Sequence, residues 1–215
     1  MPVASAAPLG APPVDPQPAA PASADDPAAA HGISWRRNLY AITAAQALAI
    51  VGFTLREPIL PFYLKELGAA STVDRTRYAG FFGAAGGATM AISAPIWGAV
   101  GDRFGRKPML IRSTLAATIT VGLMGFATDA WQIVGLRFVE GAFTGTVTAS
   151  TVLVATTAPR DKLGFNLGLV QTAVFAGAAF GPAIGGFTAA WLGYRETFWI
   201  SGALLFTAMV ADVRL

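Results

Sequence analysis

The chain has 215 residues, of which 54% are hydrophobic and only 13% charged, and its mean hydropathy is +0.55. Soluble domains carry about 25% charged residues, so this composition excludes an ordinary soluble protein and is typical of a membrane protein. The net charge is +3, but the basic residues lie between apolar segments and form no continuous face for nucleic acid. There is no Cys, and His31 is the single His, so neither a metal site nor a Ser-His-Asp triad is expected.

The first 32 residues differ in composition from the rest of the chain. Pro and Ala dominate them, and no helical or strand period recurs. Such a segment has too little apolar surface to offset its conformational entropy. Residues 1–32 are therefore predicted to be a disordered tail, and residues 33–215 a separate domain.

Six apolar segments follow in chain order. They cover about residues 38–55 (continuing through 56–68), 78–100, 109–127, 130–157, 163–192 and 197–213. Most are long enough for a helix to cross about 30 Å of hydrocarbon, and they lack the two-residue alternation of strands. Because a bilayer offers no partner to an unpaired backbone group, we predict an all-α membrane protein with six transmembrane helices.

The Lys and Arg residues predict the orientation of these helices. If the amino end is cytoplasmic, nine of them gather on the cytoplasmic side and four on the other. The nine are Arg36, Arg37, Arg103, Arg106, Lys107, Arg112, Arg160, Lys162 and Arg214, and the four are Lys65, Arg75, Arg77 and Arg195. This imbalance satisfies the positive-inside rule, so both chain ends are expected in the cytoplasm.

The turn between the second and third segments reads GDRFGRKPML and carries four charges in ten residues. Its three cations could serve only to keep the turn in the cytoplasm. That explanation leaves out Asp102, and also Gly98, Gly101 and Gly105, which let backbone approach closely at a helix end. An acidic residue among cations indicates instead a charge-paired latch that forms and breaks.

The first and fourth segments contain ionisable residues. Arg137 and Glu140 lie three apart on one helix face. A charge in hydrocarbon costs at least about 2.5 kcal/mol, so both are expected to face a partner or a water-filled cavity. They either neutralise each other and hold the bundle together or take part in function. Arg56 and Glu57 fall near the outer end of the first segment, where a solvated ion pair is predicted.

The fifth segment contains GAAFGPAIGG, in which Gly177, Gly181 and Gly185 lie four apart. Small residues at this spacing let membrane helices pack closely, and Pro182 is expected to bend the helix. Three further polar residues lie within apolar segments: Gln46, Asn166 and Gln171. These three either line a cavity or form hydrogen bonds between helices.

The charged turn gives the chain a specific resemblance. GAVGDRFGRK is similar to the loop signature that joins helices two and three of the major facilitator superfamily on the cytoplasmic side. The resemblance implies a conformational latch, in which Asp102 and Arg106 engage neighbouring helices in the outward-open state and release them in the inward-open state. The residues of this latch are Gly98, Asp102, Arg103, Gly105, Arg106 and Lys107.

Two further segments resemble the same family. GAAFGPAIGG is similar to the mark of its proton-coupled drug antiporters, carried here by Gly177, Gly181, Pro182, Gly185 and Gly186. RFVEG resembles the fourth-helix pattern of an Arg followed by Gln and Gly, with Glu140 in the place of the Gln. The resemblance therefore implies that Arg137 and Glu140 couple transport to protons, with Glu57 as a minor candidate.

The resemblance covers residues 33–215 and implies the amino-terminal half of a twelve-helix transporter. Each half in this family is a 3+3 inverted repeat, and the substrate site lies between the halves, so a carboxy-terminal half or a second copy is an expected partner. The expected function is efflux of drugs or other small amphipathic molecules through the plasma (inner) membrane, driven by the proton gradient and without a cofactor. The chain has no phosphate-binding loop for ATP and is not expected to be an enzyme. Two alternatives remain: a metabolite uptake symporter or facilitator, and a truncated membrane protein that does not transport.

Overall fold

The computed structural model describes residues 35–143, 145–157 and 162–214. All regular elements in these ranges are helices. They are α1 (Trp35–Thr54), α2 (Leu60–Glu66), α3 (Thr72–Phe104), α4 (Arg106–Met124), α5 (Ala130–Phe143), α6 (Thr146–Thr157), α7 (Leu163–Leu192) and α8 (Tyr194–Val213). The predicted disordered tail, residues 1–32, lies outside the described ranges.

Within the described ranges, four segments are long and apolar enough to cross a membrane. They are Thr72–Phe104, Ala130–Thr156, Leu163–Leu192 and Tyr194–Val213. The first and third predicted segments are also helical, as α1 and α4, but they are less apolar than these four over a comparable length. The all-helical prediction is therefore confirmed for the described part of the chain, and the number of six spans stays a prediction.

The helix boundaries differ from the predicted segments where polar residues begin a helix. The helix α3 starts six residues before the predicted segment, because Ser71 caps it and its hydroxyl accepts a hydrogen bond from the Asp74 amide at 3.0 Å. The fourth predicted segment is divided into α5 and α6, and Gly145 between them has a φ of +144° that favours glycine. Apolar patterning alone shows neither feature.

The main core includes buried side chains of α2, α4 and α8. Tyr63 and Phe198 are fully buried there, with ring centroids 4.9 Å apart. The Tyr63 hydroxyl donates to the Met124 carbonyl oxygen at 2.9 Å, which satisfies the polar end of a buried ring. This anchor fixes α2 against the bundle, and with it the turn formed by residues 55–59 that leads from α1 into α2.

Candidate functional site

A cluster of three charged side chains lies inside the bundle, between the α1–α2 turn and α5. The Glu140 carboxylate accepts two hydrogen bonds from the Arg56 guanidinium, at 2.9 Å and 2.6 Å, in a two-pronged arrangement. It also accepts one from Arg137 Nη1 at 2.7 Å. Glu140 is 1% exposed and Arg56 is 3% exposed, so the pair is shielded from solvent. Paired guanidinium–carboxylate hydrogen bonds of this kind are among the strongest in proteins.

The position of Arg56 corrects a prediction. A solvated pair of Arg56 with Glu57 is wrong, because Arg56 points into the bundle while Glu57 is exposed. The prediction assumed that the first helix continues straight outward from Arg56. Instead α1 ends at Thr54, and the turn over residues 55–59 directs Arg56 toward Glu140.

Aromatic and glycine residues shape the cluster. The guanidinium carbons of Arg56 and Arg137 lie 5.7 Å and 5.1 Å from the centroid of the same ring, Phe82. A ring face offsets part of the cost of burying two cations beside one anion. Gly86 of α3 leaves the room for Arg137, because a Cβ there would lie 2.9 Å from its guanidinium carbon. The cluster is therefore held by three elements: the α1–α2 turn, α3 and α5.

The predicted latch lies where α3 ends and α4 begins, and its ion pair is largely exposed, in contrast to the buried cluster. Asp102 in the last turn of α3 forms an ion pair with Arg106, the first residue of α4. Gly105 between the helices has a φ of +94°, a conformation that L side chains rarely adopt. Gly101 is buried against Arg106, and a Cβ there would come within 3.2 Å of the guanidinium.

The remaining latch residues make fewer contacts. Arg103 is exposed, with its guanidinium 5.7 Å from the Phe104 ring centroid, and Lys107 is half-buried. Gly98 has open space around its Cα. Gly98 and Arg106 also line a cavity of about 90 Å³ together with Arg112, whose guanidinium lies 3.4 Å from the Trp97 ring centroid. Arg106 therefore borders an open space as well as its partner Asp102.

The glycines of the fifth segment divide between two faces of α7. Gly177 and Gly181 are buried against α1, and Gly185 is buried against Leu55 in the turn that follows it. Thr54 Oγ1 lies 3.2 Å from the Gly177 carbonyl oxygen. A Cβ on Gly185 would overlap the backbone of Leu55, while Gly186 has open space. The helix α7 runs without interruption past Pro182.

The three polar cavity candidates occupy different environments. Gln46 and Asn166 are buried, and neither Gln46 Nε2 nor the amide atoms of Asn166 have a hydrogen-bond partner within the described ranges. Gln171 is exposed.

Sequence reasoning misplaced one residue and missed another. It assigned Arg56 to a solvated pair with Glu57, because the actual partner, Glu140, lies 84 residues away. Asp212 is a buried acidic residue of α8 that contacts Thr114 of α4. An acid within an apolar segment is itself a signal, since such charges are costly in a membrane.

This fold and these charges define a class: a helical membrane protein with an ionic cluster between its helices. Residues 42–215 match the family model of the Major Facilitator Superfamily. The match covers most of the chain, and the chain belongs to this superfamily. Membership makes it a multi-pass membrane protein of a transporter family rather than an enzyme.

Two relatives are identical to this chain at more than a third of the aligned positions. It is 35% identical over 181 residues to "Multi-drug resistance efflux pump PmrA homolog" of Lactococcus lactis subsp. lactis (strain IL1403), covering 84% of this chain and 44% of that protein. It is 39% identical over 180 residues to "Multidrug resistance protein MdtG" of Proteus mirabilis (strain HI4320), covering 84% and 45% respectively. The chain thus spans about half the length of the relatives it matches.

A solved structure shows the same fold. The human organic anion transporter MFSD10 (TETRAN) superimposes with a TM-score of 0.72 at 19% identity, over 84% of this chain and 47% of that one. At this level of identity the likeness concerns the fold alone.

Proposed function

We propose that this chain is one six-helix half of a proton-driven efflux transporter for drugs or other small amphipathic molecules. The relatives named above are called multidrug efflux or resistance proteins and are about twice its length. In such transporters the substrate site lies at the interface of two bundles. A second half, or a second copy of this chain, would therefore complete the cavity.

The proposed six spans are α1 with α2, α3, α4, α5 with α6, α7, and α8. Their packing supports a 3+3 inverted repeat. In such a repeat, spans one, two and three correspond to spans four, five and six. The contact between α3 and α5 then corresponds to the contact between α7 and α1, and these two contacts are similarly extensive. The contact between α1 and α8 likewise corresponds to the contact of α4 with α5 and α6 together, which is similarly extensive. In the proposed orientation both chain ends and the α3–α4 turn face the cytoplasm, in agreement with the distribution of Lys and Arg.

Proton coupling is assigned to Arg137 and Glu140, and Arg56 joins them as a third member. A proton on Glu140 competes with the two guanidinium groups for the same carboxylate oxygens. Proton binding therefore weakens the closed cluster, and the closed cluster weakens proton binding. A ligand shifts a conformational equilibrium only if it binds the two conformations with unequal affinity. Because of this competition, a proton binds Glu140 more tightly in a conformation where the cluster is open than in one where it is closed. Glu57 is exposed and stays the minor candidate.

The exposed pair of Asp102 and Arg106 is assigned to the conformational latch. Exposed ion pairs contribute at most about 1 kcal/mol, so these residues can exchange partners at little cost. Arg106 also borders the cavity beside Arg112. We expect it to form a new ion pair or hydrogen bond there when the two halves rock.

The observation that carries the proposal is the buried Arg56–Glu140–Arg137 cluster in a chain related to efflux proteins. The test is dye extrusion by energised cells that produce the complete transporter containing this half. We expect extrusion to stop when the proton gradient is collapsed and to lose its gradient dependence in Glu140→Gln. The exposed Glu66→Gln is the matched control and should behave like the wild type. Extrusion that persists after collapse of the gradient would exclude coupling, and net inward flux would favour an uptake symporter.

A further inference from the structure

A buried carboxyl group lies apart from both the cluster and the latch. Asp212 belongs to the last turn of α8 and is 3% exposed. Its Oδ2 lies 3.0 Å from Thr114 Oγ1, which belongs to the neighbouring helix α4. This contact connects two helices that pack along much of their length.

The hydrogen atoms at this contact can be counted. Thr114 Oγ1 also lies 2.9 Å from the Leu110 carbonyl oxygen, one helical turn earlier. A hydroxyl group has one hydrogen to donate, and a carbonyl oxygen can only accept. If Thr114 donates to Leu110, the contact with Asp212 needs a hydrogen from the carboxyl group. A neutral Asp212 satisfies both contacts at once, whereas an ionised one competes with Leu110 for a single hydrogen.

Among the side chains that the structure describes, none forms an ion pair that would compensate a negative charge on Asp212. Within the described ranges Asp212 takes part in no ion pair. The other charged residues on or next to α8 and on or next to the elements packed against it are Arg36, Arg37, Lys65, Glu66, Arg106, Lys107, Arg112, Lys162, Arg195, Glu196 and Arg214. Arg112, the nearest to Thr114 in sequence, stacks on Trp97, while Arg37 and Arg214 are exposed. An ionised carboxylate buried without a cation is costly, so the site favours the neutral acid.

We propose that Asp212 is a proton-binding site, protonated in this conformation, and that its neutral carboxyl group donates to Thr114 Oγ1. The hydrogen bond from Asp212 to Thr114 then depends on the bound proton, because an ionised carboxylate has no hydrogen to donate. This site is separate from Glu140 and does not depend on the proposed transport function.

Infrared spectroscopy of the purified chain in detergent at neutral pH tests the proposal. A protonated carboxyl group has a carbonyl stretching band that a carboxylate lacks. We expect Asp212→Asn to remove one such band and Asp102→Asn, at an exposed ion-paired acid, to leave it unchanged. A wild-type spectrum without the band, or a band that survives in Asp212→Asn, would overturn the proposal.

A second variant keeps the test informative if Asp212→Asn fails to fold. Thr114→Val removes the acceptor and keeps the acid and most of the side-chain volume. We expect the carboxyl band to shift to higher frequency, because the carboxyl group loses its hydrogen-bond partner. A band at the wild-type frequency in Thr114→Val would contradict the assigned contact.

Discussion

Two arginine–carboxylate pairs in this bundle have the same chemistry and opposite surroundings. The side chains of Arg56 and Glu140 are 4% and 0% exposed, whereas those of Arg106 and Asp102 are 30% and 68% exposed. A buried pair is costly to break, because a charge is left without water or a partner. An exposed pair is replaced by water with little loss. The Arg56–Glu140 pair is therefore a fixed junction inside the bundle, whereas the Arg106–Asp102 pair is a surface contact that can exchange partners.

The largest effect is expected when one member of the buried pair is removed. We expect Arg56→Ala to lower the free energy of unfolding by about 3–5 kcal/mol, since it leaves Glu140 with a buried, partly uncompensated charge. The measurement is unfolding by titration with sodium dodecyl sulfate in mixed micelles. The adjacent, exposed Glu57→Ala is the matched control and should change stability by no more than about 0.5 kcal/mol. Equal losses of unfolding free energy in the two variants would show that Arg56 is at the surface rather than buried.

A smaller effect is expected where α7 meets α1, next to the turn that carries Arg56. Gly185→Ala places a Cβ against the backbone of Leu55, which cannot move aside as a flexible side chain could. Overpacking of this kind costs about 1–3 kcal/mol. Gly186→Ala, one residue along and facing open space, should cost nothing and gain helix propensity. The same unfolding titration compares the two variants, and equal stability would exclude the close contact of Gly185 with Leu55.

The smallest effect is expected at the latch. We expect Asp102→Asn to lower the free energy of unfolding by at most about 1 kcal/mol, with the difference from the wild type shrinking as salt is added. Arg103→Gln, at an exposed cation of the same turn, serves as the control for loss of charge alone. A loss at Asp102 as large as that at Arg56 would show that the latch is a structural junction rather than an exchangeable contact.

Features that depend on local spacing could be predicted from the sequence. The four-residue period of Gly177, Gly181 and Gly185 places them on one helix face whatever the neighbours are. The helices themselves follow from apolar length, because the bilayer requires paired backbone. Asp102 and Arg106 are four residues apart, so their pairing across the short turn needs no information from the rest of the chain.

Features that depend on distant partners could not be predicted. Arg56 pairs with a residue 84 positions away, and only the turn over residues 55–59 directs it inward. Asp212 is visible as an acid in an apolar segment, but its partner Thr114 is 98 positions away. In both cases the sequence indicates a costly charge, and the three-dimensional packing decides how that cost is offset.

Direct pairing between Arg56 and Glu140 is tested by a double-mutant cycle. Arg56→Ala, Glu140→Ala and the double variant are compared with the wild type by the same unfolding titration. Direct partners should show a coupling energy of at least about 1 kcal/mol, with the double variant less destabilised than the sum of the single variants. Effects that add to within about 0.5 kcal/mol would contradict the buried pair.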